Sequence, residues 1–368
     1  VVINQRDALL FGLKLRKLPF SDAHIGFDEK LEGRTRGMNL LLLGAGFSRN
    51  WGGWLASEAF TYLLGRPEVK DSEDLKVLLW ESQQQGGFEQ ALAVLKEGAN
   101  LEPERHGGQL AALNRAVAAM FGDMNLSFRR FVNFEPQNHG GKSVRRFLAQ
   151  FDAIFTLNQD LLLEEQYLPL DVSLMSNRRF HASDVPGMRP LNPNPPPGVS
   201  PWATAWMPKD EVNFGVAANT QPYFKLHGSS NWQADGDHPE SMLIMGGNKA
   251  HEIGLSPVLR WYQEQFAEYM AGPDARLMVI GYGYRDDHIN TAIERAVFEQ
   301  GLKFFNVSPS GPNQGRNVAK SIEDGGGKSN LERLFQVGLI GASERSLQET
   351  FGLHDDLEYQ KLERFFDR

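Results

Sequence analysis

In this 368-residue chain, four apolar runs of strand length end in residues able to do chemistry. Leu40-Leu41-Leu42-Leu43 runs into Gly44-Ala45-Gly46-Phe47-Ser48, and the run from Phe151 to Leu157 stops at Asn158-Gln159-Asp160. Pro222 to Leu226 stops at His227-Gly228-Ser229, and Arg276 to Ile280 at Gly281-Tyr282-Gly283-Tyr284, with Asp286 and Asp287 following. A fifth run, Lys303 to Val307, carries Asn306, placed to meet a ribose hydroxyl. A Gly-Ala-Gly turn before a serine able to cap a helix points N–H groups and a helix N-terminus at whatever lies above it, a setting for phosphate. The amide of Asn158 both donates and accepts, so it suits a water or a hydroxyl. His227 titrates near neutrality and can take a proton from either. Singly, each has a plainer reading: a tight turn at Gly44 and Gly46, a capped surface histidine at His227, a turn or N-cap residue at Asn158. Their shared place gives them weight, because open α/β sheets bind ligands beyond the carboxyl ends of their strands.

The elements around these ends predict that sheet. After the Leu run, Asn50 to Gly65 reads as a helix, and the helical pattern continues through Ser72–Trp80, Phe88–Glu97, Leu110–Phe121 and Phe128–Asn133. Residues 50–150 thus form a helical block in place of the next strand-helix repeat. Proline-rich residues 186–222 read as a long surface loop, and Pro257–Met270 and Asp287–Phe298 as amphipathic helices. The order of strands and helices predicts an α/β fold, a Rossmann-like parallel sheet with a helical insertion. The turn departs from the dinucleotide fingerprint G-x-G-x-x-G, since Arg49 stands at the third glycine. It departs equally from a P-loop, having no Gly-Lys-Ser/Thr.

Composition narrows the function classes. A hydrophobic fraction of 41% supports a sizeable core, and a formal charge of -8 argues against a general nucleic-acid grip. The chain has no cysteine, which excludes disulfides, thiolate zinc sites and a cysteine nucleophile, and fits a reducing cytoplasm. No apolar run reaches the length of a membrane span, and the start at Val1 lacks a signal-peptide layout. His238, His251, His288 and His354 lack partners at metal-ligand spacing, so no metal site is expected. Residues 1–37 read as an N-terminal arm for assembly or a loose leader, and 311–368 as a flexible link with a helical tail.

Together, Gly44-Ala45-Gly46-x-Ser48, Thr156-x-Asn158-x-Asp160, Leu226-His227-Gly228-Ser229 and Gly281-Tyr282-Gly283-x-x-Asp286 resemble the sirtuin-type NAD-binding fold. The four-cysteine zinc module of the deacylases is missing, and Gly52-Gly53-Trp54-Leu55 replaces their lid motif. The chain is more similar to the sirtuin-like NAD hydrolases of bacterial anti-phage defence, over about residues 38–310. That resemblance implies NAD as substrate, with cleavage of the nicotinamide-ribose bond, and no zinc. It implies catalytic roles for Asn158 and His227, and NAD contacts from Gly44, Ala45, Gly46, Ser48, Asp160, Gly281, Tyr282 and Asn306. Ser48 has the alternative of capping a helix, and Asp160 that of capping one starting at Leu161. Trp51 and Trp54 are candidates for walling the nicotinamide pocket, and Trp232 is another. Asn306 matches the residue that grips the adenosine ribose. The family further implies a homo-oligomer, with activation through oligomer assembly, a partner ATPase or Argonaute-type protein, or a nucleotide signal. The acidic charge and the lack of a long apolar run argue against direct nucleic-acid or membrane binding. A non-catalytic NAD or ADP-ribose sensor or scaffold subunit is the alternative reading, ahead of an NAD-dependent deacylase or an ADP-ribosyltransferase.

Overall fold

The computed structural model describes residues 37–83, 87–136, 141–175, 179–234, 241–246, 249–324 and 330–367. The arm expected over 1–37 lies, apart from Gly37, outside them. Eleven strands follow in chain order: β1 (Asn39–Leu43), β2 (Ala153–Thr156), β3 (Ala182–Asp184), β4 (Met188–Pro190), β5 (Trp206–Pro208), β6 (Thr220–Lys225), β7 (Gly228–Gln233), β8 (Ser241–Leu243), β9 (Arg276–Ile280), β10 (Lys303–Val307) and β11 (Leu339–Ser343). Seven build the central sheet in the order β11-β10-β9-β1-β2-β6-β3, and all of its pairings are parallel. A parallel sheet is covered on both faces, so its inner strands must be apolar throughout. Leu40, Leu41, Leu42, Leu43, Ile154, Phe155 and Leu277 are all fully buried, which is why β1, β2 and β9 stand out in the sequence as unbroken runs.

The chain leaves β1 for β2 and β6 on one side, then returns to β9 and β10 on the other. Strand order therefore reverses between β1 and β9, and a crevice above the sheet belongs at that junction. The structure thus has the Rossmann-like arrangement expected, with the helical insertion between β1 and β2. Among the described residues, six helices fill it after the short helix Ala45–Arg49: Ala56–Leu64, Pro67–Lys70, Glu73–Ser82, Phe88–Leu101, Pro103–Arg130 and Val144–Leu148. Two segments expected as separate helices are one of 28 residues, because the stripe Leu113, Ala116, Val117, Met120, Phe121, Met124 and Phe128 continues unbroken at helical spacing. The helix expected from Asn50 starts only at Ala56, since Gly52 sits at a φ of +87° and interrupts it.

Two further segments differ from expectation. The proline-rich loop contributes β4 and β5 to a small second sheet, ordered β4-β5-β7-β8. Residues 311–368 are not merely a link and helical tail, because β11 extends the central sheet beside β10. Gly338 and Gly341 make that approach possible: a Cβ at either would stand 2.7 Å from the Phe304 ring or 2.5 Å from the Phe305 ring. Phe351, Phe365 and Phe366 then close an aromatic cluster with Phe147 and Phe151. Among the described residues no helix is long and apolar enough to cross a membrane.

Candidate active site

The β1 and β9 ends are locked to each other by backbone alone. Gly44 N–H donates to the Ile280 carbonyl and Gly46 N–H to that of Gly281, both at 2.9 Å. Gly281 adopts a φ of +68°, and a Cβ there would collide with the Gly46–Phe47 backbone. A Cβ at Gly44 would in turn stand 2.6 Å from the Gly281 carbonyl oxygen. Only glycines permit this approach. It alters the phosphate cradle expected of the turn: the N–H groups of Gly44, Gly46 and Phe47 are all spent inside the protein. Ala45, which is exposed, keeps the turn's unengaged N–H among the described residues.

Asn158 rides on this lock. Its Nδ2 donates to the Gly44 carbonyl and to Ser48 Oγ, both at 3.0 Å, while its backbone N–H donates to Thr156 Oγ1. Both amide hydrogens are thereby used, and Oδ1 is left as an acceptor without a partner among the described residues. Ser48 is buried inside the short helix Ala45–Arg49, so its hydroxyl orients Asn158 instead of capping a helix. Trp51 packs in the core between Phe47 and Phe134, and Trp54 packs at a tilt against Tyr62. Trp232 is buried against Tyr262.

His227 lies in the two-residue link between β6 and β7. Register pairs Thr156 with Lys225, so Asn158 and His227 each stand two residues beyond the same rung of adjacent strands. The side-chain amide of Gln159 ties their turns together, donating to the carbonyls of His227 at 3.0 Å and Ile244 at 2.7 Å. Gly228 takes a φ of +73° as the chain turns into β7, where a Cβ would collide with the Met242 carbonyl. The His227 imidazole is only 3% exposed, and its Nε2 faces His288 Nε2 at 3.0 Å.

His288 occupies the first turn of the helix Asp287–Gln300, at whose N-cap stands Asp286. The Asp286 carboxylate makes no capping bond and instead accepts from Lys249 Nζ at 2.8 Å, and Lys249 pairs with Glu89 of the insertion at 2.7 Å. Burial lowers the His227 pKa to about 3, with Lys249 and His288 acting in the same direction and Asp286 against them. Burial also lowers that of His288, although Asp286 favours its charged form. Burial works to raise the Asp286 carboxyl, but the facing His227 and Lys249 outweigh it and hold the group below the usual range.

The other expected residues serve the frame. Asp160 Oδ1 accepts from Leu162 N–H at 3.0 Å, the bond expected of a residue leading into the helix Leu162–Gln166. Its carbonyl and the Glu164 carboxylate each receive the fully buried Lys225 ammonium at 2.6 Å. Tyr282 directs its hydroxyl to Asn290 and to the Asp286 backbone, fixing the start of the His288 helix. Asn306 is fully buried, with its amide committed to Ser308 Oγ and the Gly311 carbonyl and its oxygen accepting from Tyr284. The structure thus brings together Gly44, Ser48, Asn158 and Gly281, and sets His227 on the adjoining turn. It does not leave the Asn306 amide open to a ribose.

Sequence reasoning missed His288, Lys249, Glu89 and Asn125. Asn125, on the long insertion helix, accepts from Leu161 N–H and donates to Ser230 Oγ, clamping the turn after β2 to β7. The one available signal was that His288 follows the β9 end by a few residues. Two clefts lie away from His227. One of about 250 Å³ is lined by Asn50, Trp51, Phe131 and Gln348, and one of about 620 Å³ beyond β10 and β11 by Glu344, Arg345, Glu358 and Lys361. Among the described residues, no group of three or more His, Cys, Asp or Glu is placed to hold a metal ion. No protein-family model matches this chain, and no curated protein matches it.

Proposed function

We propose that the chain is an NAD glycohydrolase that cleaves the nicotinamide-ribose bond to give nicotinamide and ADP-ribose. The observation that carries this reading is the level placement of Asn158 and His227 on adjacent strand ends, beside the glycine lock where strand order reverses. Cleavage develops positive charge on the ribose while nicotinamide departs as a neutral ring with the bond's electron pair, so no strong acid is required. A water supplies the new bond to the anomeric carbon and loses a proton. Asn158 Oδ1, with its Nδ2 fixed by Gly44 and Ser48, accepts from a ribose hydroxyl or that water. His227 is held neutral by burial and takes the proton. By the resemblance of its strand-end motifs to sirtuin-like NAD hydrolases, the reading extends to an anti-phage effector that is silent until oligomer assembly, a partner ATPase or Argonaute-type protein, or a nucleotide signal activates it.

One observation favours a second reading, a non-catalytic module for NAD or ADP-ribose: the His227 imidazole is almost closed to solvent. Turnover of a fluorescent NAD analogue separates the two, measured on the chain alone and with candidate partners. Asn158→Ala and His227→Ala are each expected to lower turnover by at least about 10²-fold, the low end of a general base's contribution, with the fold intact by circular dichroism. Undiminished turnover in both variants removes the site assignment. NAD binding without turnover in any assembly state favours the non-catalytic module.

A further inference from the structure

The Nε2–Nε2 separation of 3.0 Å between His227 and His288 sets a proton count. Two neutral imidazoles meet nitrogen to nitrogen at that distance only if one proton lies between them. The remaining question is which ring owns it. Three observations outside the pair bear on the answer. The Nδ1 of His227 has no hydrogen-bond partner among the described residues, so it is the atom left for a substrate. Asp286 faces both rings, whereas Asp287, which opens the helix, acts on His288 and not on His227. Among the described residues Lys249 is the one cation facing both rings, and it is itself neutralised by Glu89 and Asp286.

We propose that His288 is the positioning partner of His227, accepting its Nε2–H so that His227 presents a bare Nδ1 to the substrate side. The inference rests on reading His227 as the general base. The balance is complete within the pair. Water gives its proton to His227 Nδ1, and the Nε2 proton of His227 passes to His288 Nε2. His227 ends neutral with its proton on Nδ1, and His288 ends as the imidazolium. The positive charge thereby leaves the more deeply buried ring for a half-buried one that has Asp287 as well as Asp286 beside it. This removes the difficulty that a ring as buried as His227 is a poor resting place for charge. The N-terminal end of a helix disfavours a cation, and the two aspartates offset that. A metal ion bridging the two nitrogens is the competing arrangement. Asp286, the carboxylate charge-coupled to both rings, is already bonded to Lys249, which argues for the proton.

The test uses the full chain in whichever assembly state turns over the NAD analogue. His288→Gln keeps an acceptor near the Nε2 position but cannot hold the extra proton, whereas His288→Phe removes both. In each, kcat is expected to fall about 10²-fold with KM within a factor of two, and the acid limb of the kcat–pH profile to move by more than one pH unit. Unchanged kcat overturns the proposal, as does a loss of kcat with an unchanged pH profile, which marks a merely structural residue. Loss of turnover on chelation and its return with zinc would assign the pair to a metal. Should the wild-type chain show no turnover at all, the glycohydrolase reading fails separately, and the pair is judged by imidazole 15N spectra. Those are expected to show His227 protonated at Nε2 and bare at Nδ1, with His288 protonated at Nδ1. The opposite tautomers overturn the proposal.

Discussion

At the scale of single residues, each group at the candidate site is restricted by a neighbour that sequence spacing does not reveal. Asn158 is turned into an acceptor because Gly44 and Ser48 consume its donors. His227 is kept neutral by burial, and that has a stability consequence with a definite sign. Its folded pKa is about 3, while an unfolded histidine titrates near 6.5. Between those values the unfolded chain binds more protons, so stability is lost as pH falls below about 6.5, at roughly 1.4 kcal/mol per pH unit for one such group. His288, shifted in the same direction, adds to the effect. Urea unfolding at pH 7.5 and 5.0 is expected to show a loss of about 2 kcal/mol from His227, and His227→Asn to remove that part of the difference. A variant with the wild-type pH dependence would show that His227 is solvated.

Elements carry a different kind of constraint, one of close approach. The β1 and β9 ends meet through Gly44, Gly46 and Gly281, whereas a Cβ at Gly283 would meet only the flexible side chain of Arg285, at 3.9 Å. Gly281→Ala combines a positive φ with a backbone clash and is expected to cost at least about 3 kcal/mol in chemical denaturation. Gly283→Ala should stay within about 0.5 kcal/mol of wild type, and equal effects from the two would remove the lock. Much of this level was legible in advance. β9, β10 and the helix Pro257–Met270 fall at their expected bounds, because buried parallel strands are unbroken apolar runs and amphipathic helices are periodic. β7 was not, since Gly228-Ser229-Ser230-Asn231-Trp232-Gln233 has neither a continuous apolar run nor a clean alternation. β11 was hidden for a related reason: its Gly341 is there to admit the Phe305 ring. The strand-end residues Asn158 and His227 could be inferred as neighbours from element order. His288 could not, because its contact with His227 spans 61 residues and depends on how a helix packs above the sheet.

For the molecule as a whole, the C-terminal segment is part of the fold. β11 pairs with β10, Phe351 and Phe365 are buried, and Arg276 at the start of β9 donates to the carbonyls of Phe365 and Asp367. The segment also reaches the turn after β1, where Leu347 N–H donates to Asn50 Oδ1 at 2.8 Å. Removing residues 331–368 is therefore expected to abolish cooperative unfolding by circular dichroism, and a truncated chain that still unfolded cooperatively would make this segment an appendage. The helical insertion is bound to the site as well, through Glu89 on Lys249 and Asn125 on the turn after β2. The glycine lock carries a consequence for descent. Each of its three positions is closed to a side chain by the backbone of the others, so none can drift first while its partners stay in place. Lineages that have changed nearly everything else should keep the three together, one pair after the first strand and one after the strand beside it. Distant kin of this chain are better sought by that spaced triplet than by overall likeness.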